Sequence, residues 1–492
     1  MSETPRPFPP GDYDVVVVGS GPGGLQTAYF LARLGVPHAV ISADEAPGGM
    51  FRKWPIFQRL LSWSKPDAPF PRASREYEWY DHNSLVADEP ELRGLVPAVM
   101  DRTWAVPSRP EMEEGLALFA ERAGLAVRYG CRWEATRRED DGRLVLETSD
   151  GEYRCRAAVF AIGVTAPWKP PIPGLEDVPH YAETKDASAY ANKRVIVVGK
   201  RNSAFEIAQG LLHWARRVTL VSPRPVDTSK LALSSVSARY MLPMEDSAVG
   251  GGTYIVDAAV ERIGPSPEGF RVRAKGTTHP GDYDLQCGAT IAATGFRTPL
   301  LDLETLGVRT VAQGRIPALS PLFESSGAPG IFFAGNASQG APGLRKYGVG
   351  PVSAVVRGLR YNARILAEHL AERLIGYERP RRPVDADELV PFLAAELARA
   401  PELWTQKGYL CRVVGLDGPF DDGIQPLEHF LDAGGPDAVA VTVQLNAAGE
   451  IFPGVYLRRR GRIQESELDP HPLNEFDGEP YRQALATLLG PS

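Results

Sequence analysis

An α/β chain built on two parallel-sheet cores, with a small α+β domain at its C-terminal end, is what this sequence predicts. Three observations carry that prediction. Val15-Val16-Val17-Val18 runs straight into Gly19-Ser20-Gly21-Pro22-Gly23-Gly24. The same strand-into-glycine pattern returns at Arg194-Val195-Ile196-Val197-Val198 and Gly199. Beyond the basic, proline-containing joint Arg379-Pro380-Arg381-Arg382-Pro383, the pattern changes to a mixture of helix-like and strand-like stretches.

Taken in order, the four valines read as a strand buried on both faces, as in the interior of a parallel sheet. A helical stretch over 25–34 follows the glycines and stops at Gly35, and Ala39-Val40-Ile41 closes a β-α-β unit. Residues 124–129 and 143–147 read as strands, with Asp140-Asp141-Gly142 turning into the second. Residues 157–163 form another buried strand ending in glycine. Pro167, Pro170, Pro171 and Pro173 then make a stiff, extended crossing, the expected boundary to the second core. In that core a helix is expected over 203–214 and a strand at Val218-Thr219-Leu220-Val221. Residues 289–296 form a further strand-then-glycine element, after which Gly330-Ile331-Phe332-Phe333-Ala334-Gly335 returns to the first core as its closing strand. A helix is expected over 352–374. The last segment holds a helix over 388–398, where Pro391 fits only the first turn, and strands over 438–445 and 451–458. The expected domains are thus 12–165 with 290–377, then 166–289, then 384–492.

Composition narrows the function. Among 492 residues, 54 Lys and Arg face 61 Asp and Glu, a net charge of −7, which lacks the footprint of a general nucleic-acid binder. No apolar run approaches the roughly 18 residues of a membrane span, and residues 1–14 show no charged-then-apolar leader pattern. Cys131, Cys155, Cys287 and Cys411 are too far apart for a CxxC pair, a zinc cluster or a disulfide framework. The expectation is a cytoplasmic protein without metal, nucleic-acid or membrane partners.

The glycine loops carry the chemistry. Gly19 suits the tight turn, Gly21 lets the backbone approach a pyrophosphate, and Gly24 allows close packing of helix on strand. The helix N-terminus then presents free N–H groups to the phosphates. This makes the first core Rossmann-like. The ribose-binding acid expected at the end of the second strand is replaced by Ser42, with Asp44 and Glu45 just beyond as substitutes. In the second loop, Gly199-Lys200-Arg201-Asn202-Ser203-Ala204, arginine replaces the middle glycine. Lys200 and Arg201 offer positive charge there, Ser203 offers a helix cap, and the following strand ends in Ser222-Pro223-Arg224. A basic residue at that strand end suits a 2′-phosphate, so NADPH is expected over NADH. The bland alternative is a solvated basic edge.

The two loops, the strand ends at Gly163 and Ala293-Thr294-Gly295-Phe296, and the closing Phe333-Ala334-Gly335-Asn336 resemble the two-dinucleotide-binding-domain flavoproteins over residues 12–375. The resemblance implies FAD in the first domain, a nicotinamide cofactor in the second and hydride transfer between them. It also implies that Gly48-Gly49 lies beside the isoalloxazine, and that Gly295, Gly335 and Asn336 belong to the cofactor sites. Asn336 stands where the family usually carries an aspartate, so it brings a hydrogen bond without charge. Two branches compete. Flavin-containing and Baeyer–Villiger-type monooxygenases carry Phe-x-Gly-x-x-x-His before the second loop; His180 matches in position, but the Phe and Gly are absent. Asn192-Lys193-Arg194 through Asn202-Ser203-Ala204, and Phe51-Arg52-Lys53-Trp54-Pro55, are similar to bacillithiol-disulfide-reductase-like flavoproteins, which also lack an active-site CxxC.

The reading that follows is a FAD- and NADPH-dependent monooxygenase acting on a small molecule with O₂ through a flavin hydroperoxide; His180 is its candidate catalytic residue, or else a polar linker residue hydrogen-bonded to backbone. Its alternatives are a reductase of a low-molecular-weight disulfide or other acceptor, and a non-catalytic flavin-fold binding protein. The aromatic group Trp54, Trp63 and Tyr77-Glu78-Trp79-Tyr80 suits either a planar-substrate pocket or core packing. The loop 340–347, with Arg345 and Lys346, suits either an anion clamp or a solvated turn. His429 and Arg458-Arg459-Arg460 belong to no motif. The tail caps the core, makes a dimer contact or covers the substrate site.

Overall fold

The computed structural model describes residues 6–49, 51, 59–60, 62–226, 253–343, 346, 352–446 and 448–490. They form two compact units: residues up to 49, 62–164 and from 298 onward make the first, and 165–297 make the bulk of the second.

In the first unit, Gly11–Val18 is the centre of a parallel sheet, flanked by His38–Ile41 and Gly151–Phe160. Val15 to Val18 are buried, as a strand covered on both faces requires. The long strand Gly151–Phe160 changes partner along its other edge. Its first half pairs antiparallel with Leu144–Thr148, and Ala158 to Phe160 pair parallel with the closing strand Ile331–Phe333. The helix Pro22–Arg33 follows the first glycine loop, and the long helix Val356–Ile375 packs against it. The expected strand over 124–129 is reduced to one bridge between Arg128 and Ile41. A helix not anticipated, Arg109–Arg122, starts with Ser108 and Glu111 capping each other's backbone. That Ser-x-x-Glu capping box was present in the sequence.

The C-terminal segment joins this first unit. Its six-stranded antiparallel sheet runs in the order Arg382–Pro383, Phe420–Pro426, Leu410–Gly415, Ala438–Leu445, Ile451–Arg459, Arg462–Glu467. All eight residues of Ala438–Leu445 are buried, and the helices Leu389–Arg399 and Leu427–Asp432 both pack on that strand. Arg75 anchors the segment by pairing with Glu396 at 2.9 Å and Glu402 at 2.7 Å. Trp79 donates from its indole N–H to the Arg399 carbonyl at 2.8 Å and lies against Trp404.

The second unit has the sheet order Asp282–Cys287, Gly269–Gly276, Thr253–Ser266, Arg217–Ser222, Arg194–Val198, Ala289–Ala292. The last four are mutually parallel, and the first two extend the sheet as an antiparallel hairpin. The helix Asn202–Leu211 packs its apolar face, including Phe205, Ile207, Ala208 and Leu211, into the core beneath. The outgoing and returning crossings pair with each other, Ala166–Pro167 against Phe296–Arg297. No helix of the described residues is long and apolar enough to cross a membrane.

Candidate functional site

The first glycine loop is a close-packed turn in which side chains have no room. Gly19 has φ 114°, and a Cβ there would lie 2.6 Å from the Ala161 carbonyl oxygen. A Cβ on Gly24 would fall 1.9 Å from the Gly19 carbonyl, and one on Gly23 would fall 2.3 Å from the Gly335 Cα. Gly21 is the N-cap of Pro22–Arg33, with no side-chain cap and no acid in the first turn. The helix therefore leaves its orphan N–H groups for an anion. Around the turn, Ser20 donates its hydroxyl to Ser42 Oγ at 2.8 Å, and the Asp44 amide donates to the same oxygen at 3.2 Å. The Gly48 amide donates to the Ser20 carbonyl, and Gly49 sits against Asp44. Asn336 follows Gly335 in the short turn Gly335–Gly340, half-buried, its carbonyl accepting from Gln339. The fold thus gathers Gly19, Gly21, Gly24, Ser42, Asp44, Gly48, Gly49, Gly335 and Asn336 at one end of the first helix. An extended pyrophosphate fits this glycine-rich cradle, where close approaches to neighbouring backbone leave no room for side chains at positions 19, 23 and 24.

The second loop repeats the first steric condition. Gly199 has φ 137°, and a Cβ there would lie 2.4 Å from the Ala293 carbonyl. Its amide donates to Val221 at 2.8 Å, as that of Gly19 donates to Ile41. Arg201, exposed and extended, is the N-cap of Asn202–Leu211; Ser203 lies inside the helix, and no side chain caps it. The expected serine cap is therefore not formed. Lys200 also departs from expectation. Its side chain is 2% exposed and pairs with Asp257, whose carboxylate also accepts from Thr278 Oγ1 at 2.7 Å. These bonds hold the Asp257 carboxyl below its ordinary range. Strand register puts Asp257 beside Ser222, a partnership no local pattern signals. Lys200 is thus committed inside the protein, and Arg201 and Arg224, both exposed, are the bases left for a phosphate.

At His180 the structure shows the backbone-bonded arrangement, the alternative to a catalytic role. The residue is 0% exposed, Nε2 lies 2.9 Å from the Gly295 carbonyl, and Nδ1 accepts from the Ala182 amide at 3.2 Å. The accepting Nδ1 assigns the proton to Nε2, which donates to Gly295. Burial lowers the imidazole below its ordinary value, so it stays neutral. Both nitrogens are occupied by backbone, which makes His180 a cap and a tie rather than a proton carrier. The Gly295 carbonyl is shared with the Trp168 amide, and φ 95° at Gly295 turns the chain at that junction.

The described members of the aromatic group pack against neighbouring residues. Tyr77 is buried and donates to the Lys65 carbonyl, Trp63 lies on His82, and Trp79 holds the tail. Trp54 and Arg345 lie outside the described residues. Lys346 is taken by Glu465, at 2.7 Å, and Glu467 of the tail sheet. Arg458 is buried over the Phe430 ring, and His429 is half-buried on the short helix Leu427–Asp432. A charged cleft of about 500 Å³ lies at the C-terminal end of the first helix, away from the glycine loop. Several of its arginines pair with acids, among them Arg364 with Asp88 and Arg412 with Asp421. Sequence reasoning also missed Arg360, fully buried in the long helix. It donates to the Asp81 and Ser84 carbonyls and to Tyr361, whose hydroxyl bonds Glu78 at 2.7 Å. All four cysteines are free, buried and apart, and burial raises each thiol, Cys155 to about 12.

Known proteins share this fold. The chain is 24% identical to "FAD-dependent oxidoreductase domain-containing protein 2" of Danio rerio, over 82% of this chain and 65% of that protein. The chain therefore spans just under two thirds of that relative's length. It is 26% identical to a ferredoxin–NADP reductase of Ralstonia pickettii, over 66% of this chain and 79% of the reductase. Two solved structures show the same fold over 74% of this chain. A flavin-containing monooxygenase from Stenotrophomonas maltophilia has a TM-score of 0.55 at 21% identity, covering 99% of that protein. The bacillithiol disulfide reductase of Bacillus cereus has 0.54 at 20%, covering all of that protein. FAD and NADP(H) are the cofactors of the family. The family model for pyridine nucleotide-disulphide oxidoreductases matches residues 16–335, and this chain belongs to that family.

Proposed function

We propose that this oxidoreductase is an NADPH-dependent flavoprotein monooxygenase that transfers one oxygen atom of O₂ to a small molecule. The balance is one NADPH, one proton, one O₂ and one substrate, giving NADP⁺, water and the oxygenated product. The observation that narrows the reading to direct transfer from flavin to acceptor is the state of the thiols. Each is buried and distant from the others, so no dithiol relay stands between cofactor and acceptor. Reducing equivalents then pass directly to a diffusible acceptor. FAD, when bound, supplies hydride acceptance and oxygen chemistry; the protein supplies binding, orientation and exclusion of water. The backbone N–H groups after Gly21 would hold its pyrophosphate, and Ser42 or Asp44 would hold a ribose hydroxyl. Arg201 and Arg224 would hold the 2′-phosphate of NADPH.

A second reading, direct reduction of a low-molecular-weight disulfide, is favoured by His180. The one residue matching the monooxygenase fingerprint is committed to backbone. The deciding experiment reduces the purified flavoprotein with NADPH without oxygen, then mixes it with ¹⁸O₂ and a panel of amines, thioethers and ketones. The expected result is a transient near-ultraviolet band distinct from oxidised and reduced flavin, with one ¹⁸O in a product. NADPH oxidation driven by a small disulfide, without labelled product, would establish the reductase instead. A colourless protein that takes up no FAD would sink both.

A further inference from the structure

We infer that Gln406, contributed by the C-terminal segment, is a positioning residue for the flavin loop. The inference rests on the reading that FAD occupies the Gly19–Gly24 cradle. Gln406 follows the short helix Pro401–Thr405 and is 0% exposed. Its amide reaches back to the start of the long helix: Oε1 accepts from the Val352 amide at 2.6 Å. Nε2 faces Asn362 Oδ1 at 3.0 Å, Ser353 Oγ at 3.2 Å and the Gly358 carbonyl at 3.3 Å. Asn362 then donates from Nδ2 to Ser353 Oγ at 2.9 Å and to Ser338 Oγ at 3.1 Å. Ser338 donates to the Gly335 carbonyl at 2.7 Å, and Gly335 is the residue on which Gly23 packs.

The result is an unbroken line of hydrogen bonds from the tail, through the long helix, to the closing turn, and Gly335 of that turn packs on Gly23 at the N-terminus of the first helix. Ser338, Ser353 and Asn362 are all buried. Inside a protein such a line has few alternative arrangements, because every polar group that moves must find another partner. Gly358 is part of the device. A Cβ there would meet the Val352 carbonyl at 1.7 Å and crowd Gln406 Nε2 at 3.2 Å. A glycine within a helix is otherwise unfavourable, and here, in the first turn, it lets the helix start and the tail amide meet. The tail therefore determines where Gly335 sits against the first helix, and so the shape of the cradle.

The test uses the full chain, wild type against Gln406→Leu, Ser338→Ala and the double variant. The readouts are the FAD dissociation constant, the visible circular dichroism of bound flavin, NADP⁺ affinity and apoprotein melting. The expected result is a tenfold or greater loss of FAD affinity in Gln406→Leu, with altered flavin dichroism and unchanged NADP⁺ affinity. The double variant should lose no more than the worse single variant, since both cut one line. FAD affinity within twofold of wild type in a folded Gln406→Leu protein would overturn the inference. If that variant does not fold, Ser338→Ala decides alone: unchanged affinity and dichroism overturn it, and a loss without apoprotein destabilisation supports it. A wild type that binds no FAD would be a failure of the underlying reading, separate from these outcomes.

Discussion

Gly19 and Gly199 end equivalent strands in the two units. Each has a positive φ, and each would drive a Cβ into the carbonyl of an alanine, Ala161 or Ala293, just past the neighbouring strand. Beyond that first position the units part company at matching places along the chain. Where the first has Gly21, Gly24, Gln26 and Asp44, the second has Arg201, Ala204, Glu206 and Arg224. Ser20 bonds to Ser42 just past the neighbouring strand, whereas Lys200, at the corresponding place, pairs with Asp257 on the next strand but one. The strand-to-helix turn itself dictates the first glycine, so both units keep it. Later positions answer to what the loop must meet: backbone packed within van der Waals distance in one unit, charge in the other.

The largest expected effect breaks that comparison at its tightest point. Gly24→Ala puts a methyl 1.9 Å from a backbone oxygen and should cost about 3 kcal/mol or more, seen as lost FAD-loaded protein. The reverse change, Ala204→Gly, should cost only about 1 kcal/mol. Equal melting temperatures for the two variants would show that the loops are packed alike.

Next comes the buried pair. Asp257→Ala leaves the Lys200 ammonium enclosed without its partner, a loss of about 3 kcal/mol, measurable by chemical denaturation of the second unit. A loss below about 1 kcal/mol would be that of an exposed pair and would return Lys200 to the candidate phosphate ligands.

Arg224→Ala addresses cofactor choice. Removing one charged contact should raise the KM for NADPH about tenfold, roughly 1.4 kcal/mol, while NADH kinetics stay as they are. An unchanged KM for NADPH would leave the phosphate to Arg201.

The smallest effect is a pH dependence. Burial raises the Glu206 carboxyl to about 7, opposed by the Tyr181 hydroxyl. Because this exceeds its ordinary 4.5, the folded state holds the proton more tightly than the unfolded one. Its contribution is fully present below about pH 4.5 and is lost as pH rises through 7. Glu206→Gln, which installs the residue type found at Gln26, should flatten the fall in melting temperature between pH 5 and 8 by a few degrees. Parallel melting curves for variant and wild type would remove Glu206 as the cause.

Much of this was legible in the chain because it is written locally. Strand, glycine turn and helix occupy consecutive residues, and the steric need for glycine at positions 19 and 199 is visible in the order of residue types. The tail strands Ala438–Leu445 and Ile451–Arg459 and the helix Leu389–Arg399 fell close to their expected places for the same reason. Arg109–Arg122 was overlooked although its capping box was readable, because its apolar spacing is weak. The strand over 124–129 was over-read, since an apolar run does not supply the neighbour that makes a strand.

By itself, then, the sequence determined the two dinucleotide-type loops, their different chemistry and the presence of an α+β tail. These depend on φ, side-chain volume and charge at neighbouring positions. Only the tertiary structure decided that Lys200 is spent on Asp257, that His180 ties backbone, and that Gln406 reaches from the tail to the helix ahead of Asn362. Each of those roles depends on a partner distant along the chain, brought close by strand register or helix packing. A polar side chain's chemistry is set by whichever partner burial leaves it.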